Sequence, residues 1–321
     1  MQPKSFCRAE LLAACAAFTG RAKSYMVVGE TNYAQPGVET VAVTMKQKWA
    51  AFLVACVAFI GGVSLPLFSA SADAWFTPHR GIYQMSLISA ENSSGIVGAS
   101  GQMYFEWTDT CDGWNVNQHT SLFLASSQEE GNQIGLTFSG WEAKDGLKLR
   151  FHASHLSSGK VVDYVEGEAV LSASDGSGRV TYSEPKGVAM TLPEGTVFPS
   201  EYSRRMMKRM NEGESGYSAL MFDGSSVDGT YDVTTFFAAP RMRALPGAAV
   251  GDVVVSEKVW PVRMAYFPLI GGDVEPDFEI GALINERGVA HRYDIDYGNF
   301  VVRAELELYE EIASPGCSGE G

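Results

Sequence analysis

Apolar and polar residues alternate with a period of two along most of this chain, the pattern of half-buried strands. Met103, Phe105 and Trp107 alternate with Gln102, Tyr104, Glu106 and Thr108. Beyond a turn at Asp112-Gly113, Trp114, Val116, Leu122 and Leu124 face one way, with Asn115, Asn117 and His119 on the other side. Ile134, Leu136 and Phe138 form the next run. Leu147, Leu149 and Phe151 follow, set against Lys148, Arg150 and His152. Val161, Val165, Ala169 and Leu171 oppose Glu166 and Glu168. Near the end Phe300, Val302, Ala304, Leu306 and Leu308 alternate with Arg303, Glu305 and Glu307.

Turn dipeptides punctuate these runs at Asp145-Gly146, Ser158-Gly159, Asp175-Gly176, Asp223-Gly224 and Arg287-Gly288. Many short strands linked this way predict an all-β, antiparallel meander that closes into a barrel, a sandwich or a coiled sheet. No helix recurs between strands, which argues against a parallel α/β fold.

One segment carries helical spacing instead. Pro199-Ser200-Glu201 opens a stretch in which Tyr202, Met206, Met207 and Met210 form an apolar stripe, with Arg204, Arg205, Lys208 and Arg209 between. Ser200 is the expected cap, Glu201 suits the positive N-terminus, and the basic residues suit the C-terminal half. The helix is expected to stop at Asn211-Glu212-Gly213. Its stripe reads either as a plug packed on the sheet or as an adaptable, Met-lined binding edge.

The N-terminal part has a different character. Lys46 and Lys48 precede an apolar run from Trp49 to Phe68, and Ala72 and Ala74 form an A-x-A exit. This is the order of a secretory signal peptide over 45–74, cut before Trp75. A membrane anchor is the rival reading, but Gly61, Gly62, Ser64 and Pro66 interrupt the run. Residues 1–44 lie upstream of Met45 and are read as a start called too early or an extension. The expected mature chain is a single periplasmic β domain over 75–321, with no membrane-spanning segment left.

Composition narrows the partners. The net charge is −14, and the mature part is more acidic still. Phosphate backbones need clustered Lys and Arg, so nucleic acid is excluded as a partner. Of the five cysteines, Cys7, Cys15 and Cys56 leave with the N-terminal part. Cys111 and Cys317 remain and pair by default in an oxidising compartment. The alternative is a free, reactive thiol, although nothing around Cys317 would lower its pKa.

Candidate chemistry is sparse, and neither a cofactor nor a catalytic set is expected. No nucleophile elbow, phosphate loop or dinucleotide fingerprint stands in its proper setting. His152 and His155 fall three apart on a strand, hence on opposite faces, where they cannot share a metal. Asp223 to Gly229 holds two acids among glycines but lacks the alternating ligands of a calcium loop, and reads as a turn. Glu166 and Glu168 share a strand face, as paired glycosidase carboxylates do, and are read as solvated surface acids.

From His79 onward the chain resembles the bacterial cell-envelope integrity protein EipB family. The resemblance rests on His79-Arg80-Gly81-Ile82-Tyr83, the stretch from Gly98 to Tyr104, and Cys111-Asp112-Gly113-Trp114. Val165-Glu166-Gly167-Glu168-Ala169, Phe198-Pro199-Ser200-Glu201 and Met221-Phe222-Asp223-Gly224 continue it. Trp260-Pro261-Val262, Ala265-Tyr266-Phe267 and Asp296-Tyr297-Gly298-Asn299-Phe300 are its most specific parts. It is weakest around 241–256. It implies a periplasmic, spiral-like, partly open β-barrel similar to lipoprotein carriers of the LolA and LolB type. It also implies a disulfide mapped onto Cys111 and Cys317, a role in envelope integrity under stress, and no catalytic residues. Two roles follow as expectations. One is binding of a periplasmic protein partner, a TPR-repeat protein being the leading case. The other is carriage of a lipid or lipoprotein ligand on a concave apolar face.

Overall fold

The computed structural model describes residues 76–317 apart from 128–130, 228, 251–252 and 270–274. The expected signal segment and the stretch before it lie outside the described residues. In chain order the elements begin with β1 (His79–Ala90), β2 (Ile96–Asp109), β3 (Gly113–Ser126), β4 (Asn132–Ala143) and β5 (Lys148–Ser157). Then come β6 (Lys160–Leu171), β7 (Gly178–Glu184), β8 (Ala189–Leu192), β9 (Thr196–Val197) and an α-helix, α1 (Pro199–Asn211). The rest are β10 (Gly216–Phe222), β11 (Thr230–Phe237), β12 (Arg241–Val250), β13 (Val253–Pro268), β14 (Phe278–Asn285), β15 (Ala290–Asp296) and β16 (Phe300–Glu311). Among the described residues no helix is long and apolar enough to cross a membrane.

All the described strands belong to one 16-stranded sheet running β8-β7-β6-β5-β4-β3-β2-β1-β16-β15-β14-β13-β11-β10-β9, with β12 paired to β13 beside that path. Neighbours are antiparallel except β9 and β10. The last strand closes on the first, Gly81 standing opposite Tyr309 and Met85 opposite Ala304. The two ends of the path, β8 and β9, are joined only by Pro193-Glu194-Gly195. A sheet whose edge strands are consecutive in sequence must curl until those edges approach, and the right-handed strand twist supplies the curl. The result is the nearly closed, spiral barrel.

Curling brings distant strands face to face. Phe151 of β5 meets Phe222 of β10 with ring centroids 5.5 Å apart. The Tyr182 hydroxyl of β7 donates to the carbonyls of Ser226 and Val227 in the β10–β11 turn, at 3.3 and 3.1 Å. These contacts form a second apolar cluster around Leu149, Val165, Val180, Leu192 and Phe198. The main cluster holds Tyr83, Met85, Trp107, Tyr231, Trp260 and Phe300, together with the apolar side of α1.

Two expected inward residues point outward, both because of an extra residue in a strand. The β1–β16 register slips between Ile82 and Tyr83, which pair with Leu308 and Leu306. Glu307 is the inserted residue, and Leu308 is 56% exposed. The β5–β6 register slips in the same way, His155 pairing with Asp163 but Leu156 with Val161. Val161 and Val162 are then 61% and 51% exposed. A single insertion reverses the parity of every residue beyond it.

Cys111, in the β2–β3 turn, is disulfide-bonded to Cys317 across a sequence separation of 206 residues. The bond fixes the tail beyond β16 to the neighbouring hairpin. In the chain-entropy account a loop of this length gives at most about 5 kcal/mol. Cys111→Ser or Cys317→Ser should therefore lower the melting temperature, and the difference from the parent should vanish in reductant. Identical melting of the parent chain with and without reductant would rule the bridge out as a stabilising element.

Candidate functional site

Helix α1 packs one side against the inner face of the spiral. Pro199 occupies its first turn, where a missing N–H costs nothing. The capping residue is Phe198, whose side chain makes no capping bond, which corrects the expectation for Ser200. Ser200 lies within the first turn and is buried. The cap comes from across the sheet instead. Glu142 of β4 accepts the N–H groups of Ser200 and Glu201 on its two carboxylate oxygens, at 2.7 and 2.8 Å. A carboxylate on the helix's first free N–H groups complements both the orphan donors and the dipole.

The apolar stripe is wholly internal. Tyr202, Met206, Met207 and Met210 are all buried in the main cluster. Tyr202 also hydrogen-bonds Thr235 at 2.6 Å and the Val233 carbonyl at 3.2 Å, and burial pushes its hydroxyl pKa well up. The opposite face of the helix is basic but mostly paired. Glu201 takes Arg204 at 2.7 Å and Arg205 at 2.6 Å, and Arg209 reaches Glu214 at 2.8 Å. The helix therefore packs its apolar side into the main core and leaves its basic side at the surface.

An open concavity lies on the outer face instead. A groove of about 850 Å³ crosses the strands from β3 to β7. Two rows of outward side chains line it, set by register. Asn115, Trp141, Arg150, Glu168 and Thr181 form one row, and Asn117, Ser139, His152 and Glu166 the other. Gly167 lies between the rows, where a Cβ would come within 2.6 Å of the Thr181 carbonyl and 2.8 Å of the Phe151 ring. Only glycine permits the strands and the inner aromatic ring to crowd that closely.

The groove collects His152, Glu166 and Glu168 from the sequence candidates. His155, on the same strand as His152, is buried on the inner side. Among the described residues no three His, Cys, Asp or Glu side chains are placed to share a metal ion. Ser139 donates to Asn117 at 2.9 Å and Ser183 to the Glu166 carbonyl at 3.1 Å, so neither hydroxyl is held by a general base. The Asp223 loop is a turn, with the N–H and hydroxyl of Ser225 both donating to Asp223 at 2.8 Å. It is tucked against the second cluster, and burial raises the Asp223 pKa to about 6. Asp228 lies outside the described residues. Trp141 stands in none of the strand runs read from the sequence, and Arg150 reads there only as a polar strand position. Folding β5 and β6 back about Ser158-Gly159 sets Arg150 beside the acids of β6, a juxtaposition that only a pairing register shows.

Two measurements test the plug. Met207 is 1% exposed, so Met207→Ala should cost about 2–5 kcal/mol of unfolding free energy; a change under about 0.5 kcal/mol would place the side chain at the surface. The Glu142 carboxyl is pushed up to about 7 from an ordinary 4.5, its burial outweighing the two backbone bonds. The folded protein thus holds a proton that the unfolded chain releases earlier. That contribution is complete below the unfolded value and is lost as pH rises through about 7. Its size is about 3 kcal/mol. Glu142→Gln keeps an acceptor but does not titrate, so the parent should lose stability relative to the variant between about pH 5 and pH 8. A pH-independent difference in urea unfolding would refute this.

Comparison with known proteins agrees with this architecture. The profile of the EipB-like family matches residues 70–312. The cell envelope integrity protein EipB of Brucella abortus is 28% identical over 258 residues, which span 78% of this chain and 91% of that protein. The crystal structure of a beta-barrel-like protein from Brucella abortus, from a domain family of unknown function, superposes with a TM-score of 0.67 at 26% identity. That match covers 74% of this chain and 99% of the other. A family profile spanning the whole described spiral, with a fold match over nearly all of the Brucella chain, shows that this chain belongs to the EipB-like family.

Proposed function

We propose that this chain is an exported, non-enzymatic protein of the periplasm that supports envelope integrity by binding a protein partner on the outside of its spiral. The observation that carries the reading is the filled lumen: the four apolar residues of α1 are each no more than 4% exposed. An apolar cargo has to displace them, whereas the outer groove is open without rearrangement. Support for the cellular role comes from the relative named as a cell envelope integrity protein. Support for a non-enzymatic role comes from the groove serines Ser139 and Ser183, whose hydroxyls are bonded to an amide and a carbonyl rather than to a base.

Lipid or lipoprotein carriage is the second reading. Its favouring observation is that the plug is rich in methionine, whose flexible side chains repack around varied apolar shapes. Crosslinking in living cells followed by affinity purification should recover a specific periplasmic protein, and native mass spectrometry of protein taken from envelope extracts should show no bound lipid. A stoichiometric lipid with no protein partner would overturn the first reading in favour of the second.

A further inference from the structure

Arg150 stands opposite Glu168 in the β5–β6 register, the neighbour that would ordinarily neutralise it. Glu168 instead takes Lys148 at 2.8 Å. The Arg150 guanidinium turns the other way and lies 4.1 Å from the centre of the Trp141 ring. That ring is itself fixed. Its N–H donates to Thr110 at 3.1 Å, and it rests on Gly113, where a Cβ would come within 2.3 Å of it. Among the described residues Arg150 has no carboxylate partner.

Stacking holds the plane of a guanidinium while leaving its N–H edge free, the geometry that takes a carboxylate through two parallel hydrogen bonds. Apolar side chains flank the charged centre of the same face. Along β6, exposed Val162 and Tyr164 precede Glu166 and Glu168 of the groove and exposed Val170 follows them. An oriented Arg on a fixed Trp, rimmed by exposed apolar side chains, has the make-up of a protein-interface hot spot. A glycan site has no use for exposed valines, and exposed apolar side chains around a charged centre fit a protein association surface.

We propose that this face docks a segment of a protein partner that sets one Asp or Glu carboxylate on Arg150 and apolar side chains against Val162, Tyr164 and Val170. Glu166 and Glu168 repel a run of acids, so the recognised feature is a single carboxylate in an apolar setting. This inference rests on the partner-binding reading above and names its surface.

The test uses the full chain in living cells, with a photocrosslinking residue placed in the groove (Ser183→p-benzoylphenylalanine) or on another strand (Phe236→p-benzoylphenylalanine). The groove position should yield a protein adduct whose crosslinked peptide contains Asp or Glu. Arg150→Glu should cut that yield at least about tenfold while the protein stays folded, as circular dichroism reports. Arg150→Gln, which leaves the Lys148–Glu168 pair undisturbed, should give a similar loss. An adduct indifferent to both variants, one whose peptide lacks an acid, or one formed with a glycan or lipid would overturn the proposal. Protein adducts from Phe236 but none from Ser183 would refute this surface and leave partner binding standing. No protein adduct from any surface position would remove both.

Discussion

A single antiparallel ribbon of this length has one apolar face and no second sheet to cover it. That face can be buried only by curling the ribbon upon itself, so that facing strands meet across the interior, and where they do not meet another element has to supply the apolar surface. Helix α1 answers this constraint. Tyr202, Met206, Met207 and Met210 enter the main cluster, each contributing about 1.5–3 kcal/mol on burial. The helix also lies between β9 and β10, directly after the link from β8. The chain therefore crosses from one edge of the sheet to the other at the point where it inserts the plug. Edge closure and lumen filling are one event in the sequence.

Glu142 joins the two parts energetically. Placing a carboxylate in the interior is costly, as its elevated pKa records. The return is that two helix N–H groups, which would otherwise be buried without partners, are both satisfied. No residue local to the helix does this, because Phe198 has no acceptor and Ser200 is already inside the first turn. The helix is thus anchored by β4 at one end, and by Tyr202 to β11 along its side. The same β4 strand carries Trp141 on its other face, one residue before Glu142. Plug and groove share a wall, and the alternation of a single strand assigns each residue to its side.

Strand patterning made much of this architecture readable from the chain alone. Met103 and Trp107, Leu149 and Phe151, and Val302 to Leu306 all point inward as their period-two spacing predicts. The helix was equally legible, since four apolar residues at helical spacing between Pro199 and Gly213 have no other regular reading. Non-local features were not. The insertions at Val162 and Glu307 reverse parity without any local signature in composition, so period-two spacing puts Val161 and Leu308 on the wrong face. The capping bond spans 58 residues in sequence, beyond the reach of a motif. The burial of the Asp223 turn depends on β5 and β7 arriving from the far end of the ribbon. The groove is a property of five strands in register, and its members come from stretches that each read as ordinary solvated strand.

The filled lumen also weighs the two modes of binding against each other. For an apolar cargo to enter, α1 has to leave, exposing four core side chains at a cost on the order of 6–12 kcal/mol. That is comparable with the whole stability of a typical domain, about 5–15 kcal/mol. It also strands Glu142 and Tyr202 without their partners. A cargo has to return all of this in its own contacts before any net affinity appears, since binding shifts a conformational equilibrium only by its differential affinity for the two states. Docking on the outer face carries no such charge. Trp141 is already bonded to Thr110, Arg150 is already stacked on it, and the apolar side chains of β6 are already exposed. A preorganised surface spends little of its interaction energy on ordering, so for equal contacts the outer face binds more tightly than the lumen.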